Sequence, residues 1–300
     1  MNTCAPPALP SRDLFLVGIV ILAWGSNFTA MKMALEEIPP FLFAGLRFLI
    51  LLPLLLILPR PPVSWQVILA VGGFINMGQF AFLFAALRAD VTAGLASLLL
   101  QSQVPLTILL SALFMGERVR GVHLPGIALA VTGLVIFGIG AGGNMTRWGL
   151  VLILCGALCW ACGNLVLKRL SGIAMLPLFI WASLIPPLPM LGLSLAVETS
   201  DPVGTIAALG LRHWAAVVYV AVISTVLGYS LWGTLLSRYK TADVTPFALL
   251  IPVVGIATSA AILGERLTLV EILGAVVIML GLALSVLGPR RRSNDDKLTP

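Results

Sequence analysis

The chain is a succession of ten apolar stretches, each long enough or nearly long enough to cross a bilayer. They fall at 14–34, 41–58, 66–87, 91–115, 124–140, 148–168, 174–195, 213–236, 244–263 and 270–288. A crossing takes about 20 residues, within a range of about 17 to 25. The stretches at 41–58 and 124–140 sit near the short end. Only 10% of residues are charged and 59% are hydrophobic, against about 25% charged in an ordinary soluble domain. Mean hydropathy is +1.07. A water-soluble fold of this size cannot hide so much apolar surface. The expected fold class is therefore an all-α membrane protein, in which each helix satisfies its own backbone. Ten crossings leave no room for a soluble catalytic domain.

The formal charge of +6 would suit a nucleic-acid partner, but its placement argues for membrane orientation. With both termini cytoplasmic, the inner side holds Arg12, Arg60, Arg118, Arg120, Lys168, Arg169, Arg238, Lys240, Arg290, Arg291, Arg292 and Lys297. The outer side holds only Lys32, Arg88, Arg147, Arg212 and Arg266. Twelve against five follows the positive-inside rule. The run Arg290-Arg291-Arg292 after the last stretch reads as an anchor beside anionic lipid. The first stretch is too long for a signal-peptide core, and no small-residue cleavage site follows it. Cys155, Cys159 and Cys162 share one helix face. With no histidine or carboxylate near them in sequence, they read as small packing residues, and no metal is expected.

Two related halves are visible. Gly116-Glu117-Arg118 returns as Gly264-Glu265-Arg266, and the same shift of 148 carries Gly126 onto Gly274 and Gly133 onto Gly281. Trp24 and Lys32 match Trp160 and Lys168 at a shift of 136, with Asn27 and Asn164 one residue out of step. Asp90-Val91-Thr92 matches Asp243-Val244-Thr245. Five crossings per half force the second half to enter from the opposite side. The expectation is two inverted repeats, 12–140 and 148–288, followed by a basic cytoplasmic tail at 289–300. Such a pair can exchange conformations around a central site; channels also use it.

Polar groups inside lipid are expensive unless satisfied, so their positions are informative. The first stretch carries Trp24-Gly25-Ser26-Asn27, the third Asn76 and Gln79, the fourth Gln101-Ser102-Gln103 and then Pro105. The sixth carries Trp160 and Asn164, the eighth Ser224, Thr225, Gly228, Tyr229, Ser230 and Trp232, and the ninth Pro246 and Pro252. The fifth and tenth show glycines instead, which favours close helix packing; they are assigned to scaffold or subunit contact. The candidate substrate-binding residues are Trp24, Asn27, Gln79, Gln101, Trp160, Asn164, Tyr229 and Trp232. Aromatic walls with amide and hydroxyl groups suit a small solute with an apolar part and a polar head. Packing alone, or hydrogen bonding between helices, is the competing account of each. Pro105 and Pro252 are candidate kinks or gate hinges, because proline removes a backbone hydrogen bond. Arg47 is the one strong charge well inside a helix. It could meet a substrate carboxylate or take part in gating; it could equally bind backbone carbonyls or snorkel to a surface.

Asp90, Asp243, Glu117 and Glu265 lie at the ends of stretches, and none sits mid-membrane. With no evident proton or sodium site, passive or exchange-type movement is the simpler expectation. Walker, HExxH, dinucleotide and serine-elbow motifs are missing from the sequence, so no enzyme and no cofactor are expected.

Trp24-Gly25-Ser26-Asn27-Phe28, Ala44-Gly45-Leu46-Arg47-Phe48 and the paired Gly-Glu-Arg motifs resemble the drug/metabolite transporter superfamily, in particular its EamA-type exporters. Within these the chain looks most like the YddG-type exporters of aromatic and neutral amino acids. The resemblance covers residues 14 to 288. It implies ten helices in two repeats, both termini inside, a central cavity, and export of amino acids or related metabolites across the bacterial inner membrane. The second half has no counterpart of Arg47: the matching stretch reads Pro177-Leu178-Phe179-Ile180-Trp181-Ala182. Expected partners are a small-molecule substrate and membrane lipid, with no nucleic acid, in a monomer or weak dimer. A carrier of quaternary cations or drugs and a solute channel are the rival functions.

Overall fold

The computed structural model describes residues 10–116, 123–139, 145–170, 172–239 and 244–295. The described residues are helical throughout, joined by short turns. Helix α1 is Ser11–Ala34, α2 Pro40–Leu56, α3 Trp65–Ala89, α4 Ala93–Met115 and α5 His123–Ile139. Helix α6 is Arg147–Lys168, α7 Met175–Val197, α8 Leu211–Leu236, α9 Phe247–Leu263 and α10 Leu269–Asp295. Six of these (α1, α3, α4, α6, α7 and α8) are long and apolar enough to cross a membrane, and the apolar parts of the other four are shorter. Outward-facing Leu56, Leu113, Phe114, Ile139 and Leu188 are each more than 60% exposed. A surface of that kind belongs against lipid, not water.

The helices are not uniform, and proline explains part of this. In α2 the chain tightens into a 3-10 turn over Leu52–Leu56 around Pro53. In α7 it breaks between Ala182 and Pro187, where Pro186 and Pro187 cannot donate to the preceding turn. The carbonyl of Phe179 and the hydroxyl of Ser183, at that break, accept from Nδ2 of Asn76 at 3.3 and 3.4 Å. A sequence reading of 174–195 as one stretch missed this interruption. In α4 a 3-10 turn at Leu100–Ser102 precedes the buried Pro105; one at Thr245–Leu249, leading into α9, precedes the buried Pro252. Two further irregularities have no proline. The middle of α3, Gly72–Gln79, and the middle of α8, Tyr219–Leu227, are π-helical.

Close approach is set by small residues. Gly25 of α1 lies against Ile251 and Val254 of α9, and Gly45 of α2 against Leu191 of α7. Gly78 of α3 meets Cys159 of α6, so that cysteine packs at a helix crossing. Helices α5 and α10 interlock: Gly133 meets Gly274 and Ile278, and Gly281 meets Gly126 and Ala130. They pack mainly on each other, beside α4 and α9 but outside the centre. Helix α1 is central, flanked by α4, α8 and α9, while α3 is enclosed by α6 and α7.

The two Gly-Glu-Arg motifs begin in the same backbone state. Gly116 and Gly264 end α4 and α9 in the left-handed region, at φ 66° and 68°. Each N–H closes onto a serine carbonyl, Ser111 or Ser259. Only glycine takes this conformation without steric penalty. Glu117 and Arg118 lie outside the described residues.

Candidate solute-binding region

Trp24 stands at the centre of an aromatic group where α1 meets α8. Its ring centroid is 5.4 Å from that of Tyr229, edge-on at 61°, and 5.4 Å from that of Trp232. Tyr229 in turn stacks on Phe179 of α7 at 4.1 Å, nearly parallel. The Trp24 indole N–H donates to the Ser224 carbonyl at 2.9 Å. Ser224 belongs to the π-helical part of α8, and such wide turns commonly mark functional positions. Gly228 makes room for the indole: a Cβ there would overlap it. Two residues along α1, the Ser26 hydroxyl pairs with the Tyr219 hydroxyl at 2.6 Å.

Arg47 comes to the same neighbourhood from α2. It is 3% exposed. Its guanidinium lies 3.7 Å from the ring centroid of Phe80 and 4.9 Å from that of Phe48. Nη2 donates to the Thr225 hydroxyl at 3.1 Å. That hydroxyl donates to the Val220 carbonyl five residues back, across the π turn. Nε and Nη1 have no protein acceptor. Among the described residues every carboxylate lies at a helix end or in a turn, so no acid offsets this charge.

The amides divide into two kinds. Asn27 and Gln79 are buried, at 7% and 4% exposure, and their side-chain oxygens meet no donor. Asn164 is engaged: its Nδ2 donates to Gln103 Oε1 at 2.7 Å and Thr107 Oγ1 at 3.2 Å, tying α6 to α4. Gln101 is buried in the 3-10 turn of α4. Trp160 packs on the cluster of Ile75, Leu178 and Phe179 that also receives Tyr229. The structure thus brings Trp24, Tyr229, Trp232 and Arg47 together around the π segment of α8. Asn164 faces the α4–α6 seam. Pro105 borders a separate apolar crevice of about 360 Å³, lined by Leu106, Ile127, Leu134, Leu154 and Cys155.

Phe179, Phe80 and Tyr219 were not singled out by sequence reasoning. The two phenylalanines are lost among apolar neighbours, and their partners are distant in sequence. Tyr219 offered a weak signal, as one of three tyrosines.

Charged groups close both ends of the bundle. At one end Lys32 of α1 donates to the carbonyls of Leu87 and Val91. Glu265 accepts from the N–H groups of Ala93 and Gly94 at 2.8 and 3.0 Å. Glu198 accepts from Phe41 and Leu42. These are helix N-termini, whose first N–H groups have no partner in their own helix. At the other end Asp13 pairs with Arg238 at 3.1 Å and accepts from the Tyr239 hydroxyl. That bond to Asp13 raises the Tyr239 phenol above its ordinary value.

Comparison with known proteins agrees with this architecture. The EamA-like transporter family matches residues 12–139 and again 147–287. A Salmonella typhimurium protein called "Probable amino-acid metabolite efflux pump" is 41% identical over 289 residues, covering 94% of this chain and 97% of its own length. An Escherichia coli K12 protein of the same name is 40% identical with the same coverage. A solved crystal structure superposes with a TM-score of 0.61 over 94% of this chain and 98% of its own. At 20% identity that likeness shows the fold alone. With most of its length matched by that family and by relatives at about two-fifths identity, the chain belongs to the EamA-like transporter family.

Proposed function

We propose that this chain is a secondary transporter of the bacterial inner membrane that exports small amphipathic metabolites, amino acids including aromatic or neutral ones first among them. Transport proceeds by alternating access between two inverted five-helix repeats, 12–140 and 148–288, with ten crossings and both termini cytoplasmic. The observation that carries this reading is the half-buried aromatic group of Trp24, Tyr229 and Trp232, together with the buried polar groups of Arg47, Asn27 and Gln79 on apolar helices. An amino acid has both an apolar side chain for the rings and a charged backbone end for the polar atoms. The names of the two relatives point to the same cargo. The matching left-handed ends of α4 and α9, and the paired π segments of α3 and α8, support the repeat. The positions of the described carboxylates, all at helix ends or turns, favour movement without proton coupling. The uncompensated charge of Arg47 disfavours quaternary cations as cargo.

Purified protein in liposomes tests this. We expect saturable uptake of neutral or aromatic amino acids from a labelled panel, accelerated by unlabelled substrate inside. Final accumulation should be unchanged by a pH gradient. Trp24→Ala should lower uptake by up to about tenfold, since an aromatic pair contact is worth about 0.5–1.5 kcal/mol. No uptake of any panel member by folded protein overturns the cargo; unsaturable uptake without trans-stimulation turns the reading to a channel.

A further inference from the structure

We infer that Arg47 is the carboxylate anchor of the transport site, so that the cargo is selected as a zwitterion and not merely as an apolar solute. The inference rests on the amino-acid reading above and extends it to the atoms that recognise the backbone end of the cargo.

The argument begins with an electrostatic imbalance. Arginine stays charged at any accessible pH, and a buried charge is costly unless it is paired. Arg47 is 3% exposed, yet its protein contacts are two aromatic faces and one hydroxyl. The rings of Phe80 and Phe48 interact with the flat guanidinium face. They cannot use the in-plane N–H groups of Nε and Nη1, which meet no protein acceptor. None of the described carboxylates is placed to supply the missing anion. The fork held by stacking keeps Nε and Nη1 free, and either of them, together with the second N–H of Nη2, offers one edge that matches a carboxylate oxygen pair.

The second observation is the complementary one. Asn27 Oδ1 and Gln79 Oε1 are buried acceptors with no donor. They do not bond to Arg47, although it has donors to give. Gln79 immediately precedes the phenylalanine on which Arg47 stacks. Asn27 lies one turn from Trp24. The interior thus holds donors lacking an anion on α2 and acceptors lacking a cation on α1 and α3. A zwitterion answers both: its carboxylate takes the Arg47 N–H groups, its ammonium donates to the amide oxygens, and its side chain meets Trp24 and Tyr229. A purely structural arginine would explain the stacking and the Thr225 bond, but not the unpaired amide oxygens.

The test compares two cargoes in liposomes: the panel amino acid taken up fastest, and its carboxamide, which keeps the ammonium and side chain but lacks the carboxylate charge. Wild-type protein should prefer the acid by about tenfold or more, the range of a charge-assisted hydrogen bond. Arg47→Gln should bring that preference close to unity while carboxamide uptake persists. Arg47→Lys, which keeps the charge but not the fork, should retain part of it. Equal wild-type uptake of acid and carboxamide overturns the inference. So does an Arg47→Gln or Arg47→Lys protein that slows both cargoes by the same factor, as a structural role demands. If wild type takes up no amino acid, the functional reading falls and this inference falls with it. If uptake is normal but indifferent to the carboxylate, only this inference falls.

Discussion

Glu265 sits just past the end of one helix and acts at the start of another. Its two carboxylate oxygens take the N–H groups of Ala93 and Gly94, which open α4 and have no intrahelical acceptor. Negative charge at a helix N-terminus is also favoured by the helix dipole. Replacing Glu265 with alanine should therefore destabilise the protein by about 1–2 kcal/mol, the range of a lost N-cap. Thermal unfolding in detergent would show this as a lower midpoint; an unchanged midpoint would mean that the bonds contribute nothing net. Glu265 was visible in the sequence as part of a repeated Gly-Glu-Arg motif, but its task was not. Its partners lie more than 170 residues away, and no local pattern encodes which helix start a distant carboxylate will meet. The same limit holds for the site. Trp24, Tyr229 and Trp232 were legible because aromatic and polar residues stand out in aliphatic helices. Phe179 and Phe80 were not, since a phenylalanine in an apolar run looks the same whether it faces lipid, core or cargo. Asn164 was legible as a buried amide, but not as one whose N–H groups are taken by α4.

Helix positions were easier to read than helix interiors. A bilayer imposes both length and apolarity, so the ends of α1, α4, α6 and α9 fall within about three residues of the apolar stretches, the usual uncertainty of helix boundaries. The prolines announced the irregular turns of α4 and α9. Nothing comparable announced the π segments of α3 and α8, where the wider turn is a product of packing. The glycines of α5 and α10 signal close packing in the sequence, and Gly281 shows how close: a Cβ there would stand 2.7 Å from both the Ala130 nitrogen and the Gly126 carbonyl oxygen. Those are backbone atoms of a rigid helix, so α5 and α10 would have to separate. Gly281→Val should destabilise by about 1–3 kcal/mol, as overpacking does. Uptake per folded molecule should be nearly unchanged, because neither helix supplies a group to the aromatic cluster. Gly18→Ala is the control, since nothing lies within 4 Å of the Cβ it would add. Loss of uptake at full stability in Gly281→Val would instead place the α5–α10 pair in the transport cycle.

At the scale of the whole molecule, orientation follows from charge rather than from packing. The bundle would hold together equally well either way up in the bilayer, because its contacts do not refer to the membrane's two sides. On the proposed topology of ten crossings with both termini cytoplasmic, lysine and arginine divide twelve to five in favour of the cytoplasmic side. The internal ties are compatible with that assignment, since Asp13 near the start of α1 meets Arg238 at the end of α8. Lys32, at the far end of α1, meets the end of α3. These bonds settle which ends lie together but not which face is cytoplasmic. Impermeant thiol labelling in intact cells decides it. Cys155, Cys159 and Cys162 lie within α6, so a Cys4→Ser background leaves no thiol in a terminal segment. In that background Ser200→Cys, in the exposed turn after α7, should label in intact cells. Ser293→Cys, among the basic residues of the tail, should label only after the membrane is permeabilised. The opposite pattern would invert the protein and, with it, the direction in which the positive-inside bias acts. Labelling of both sites from outside would mean an odd number of crossings between residues 200 and 293 has been miscounted by one, and the two halves could then not be inverted copies of each other.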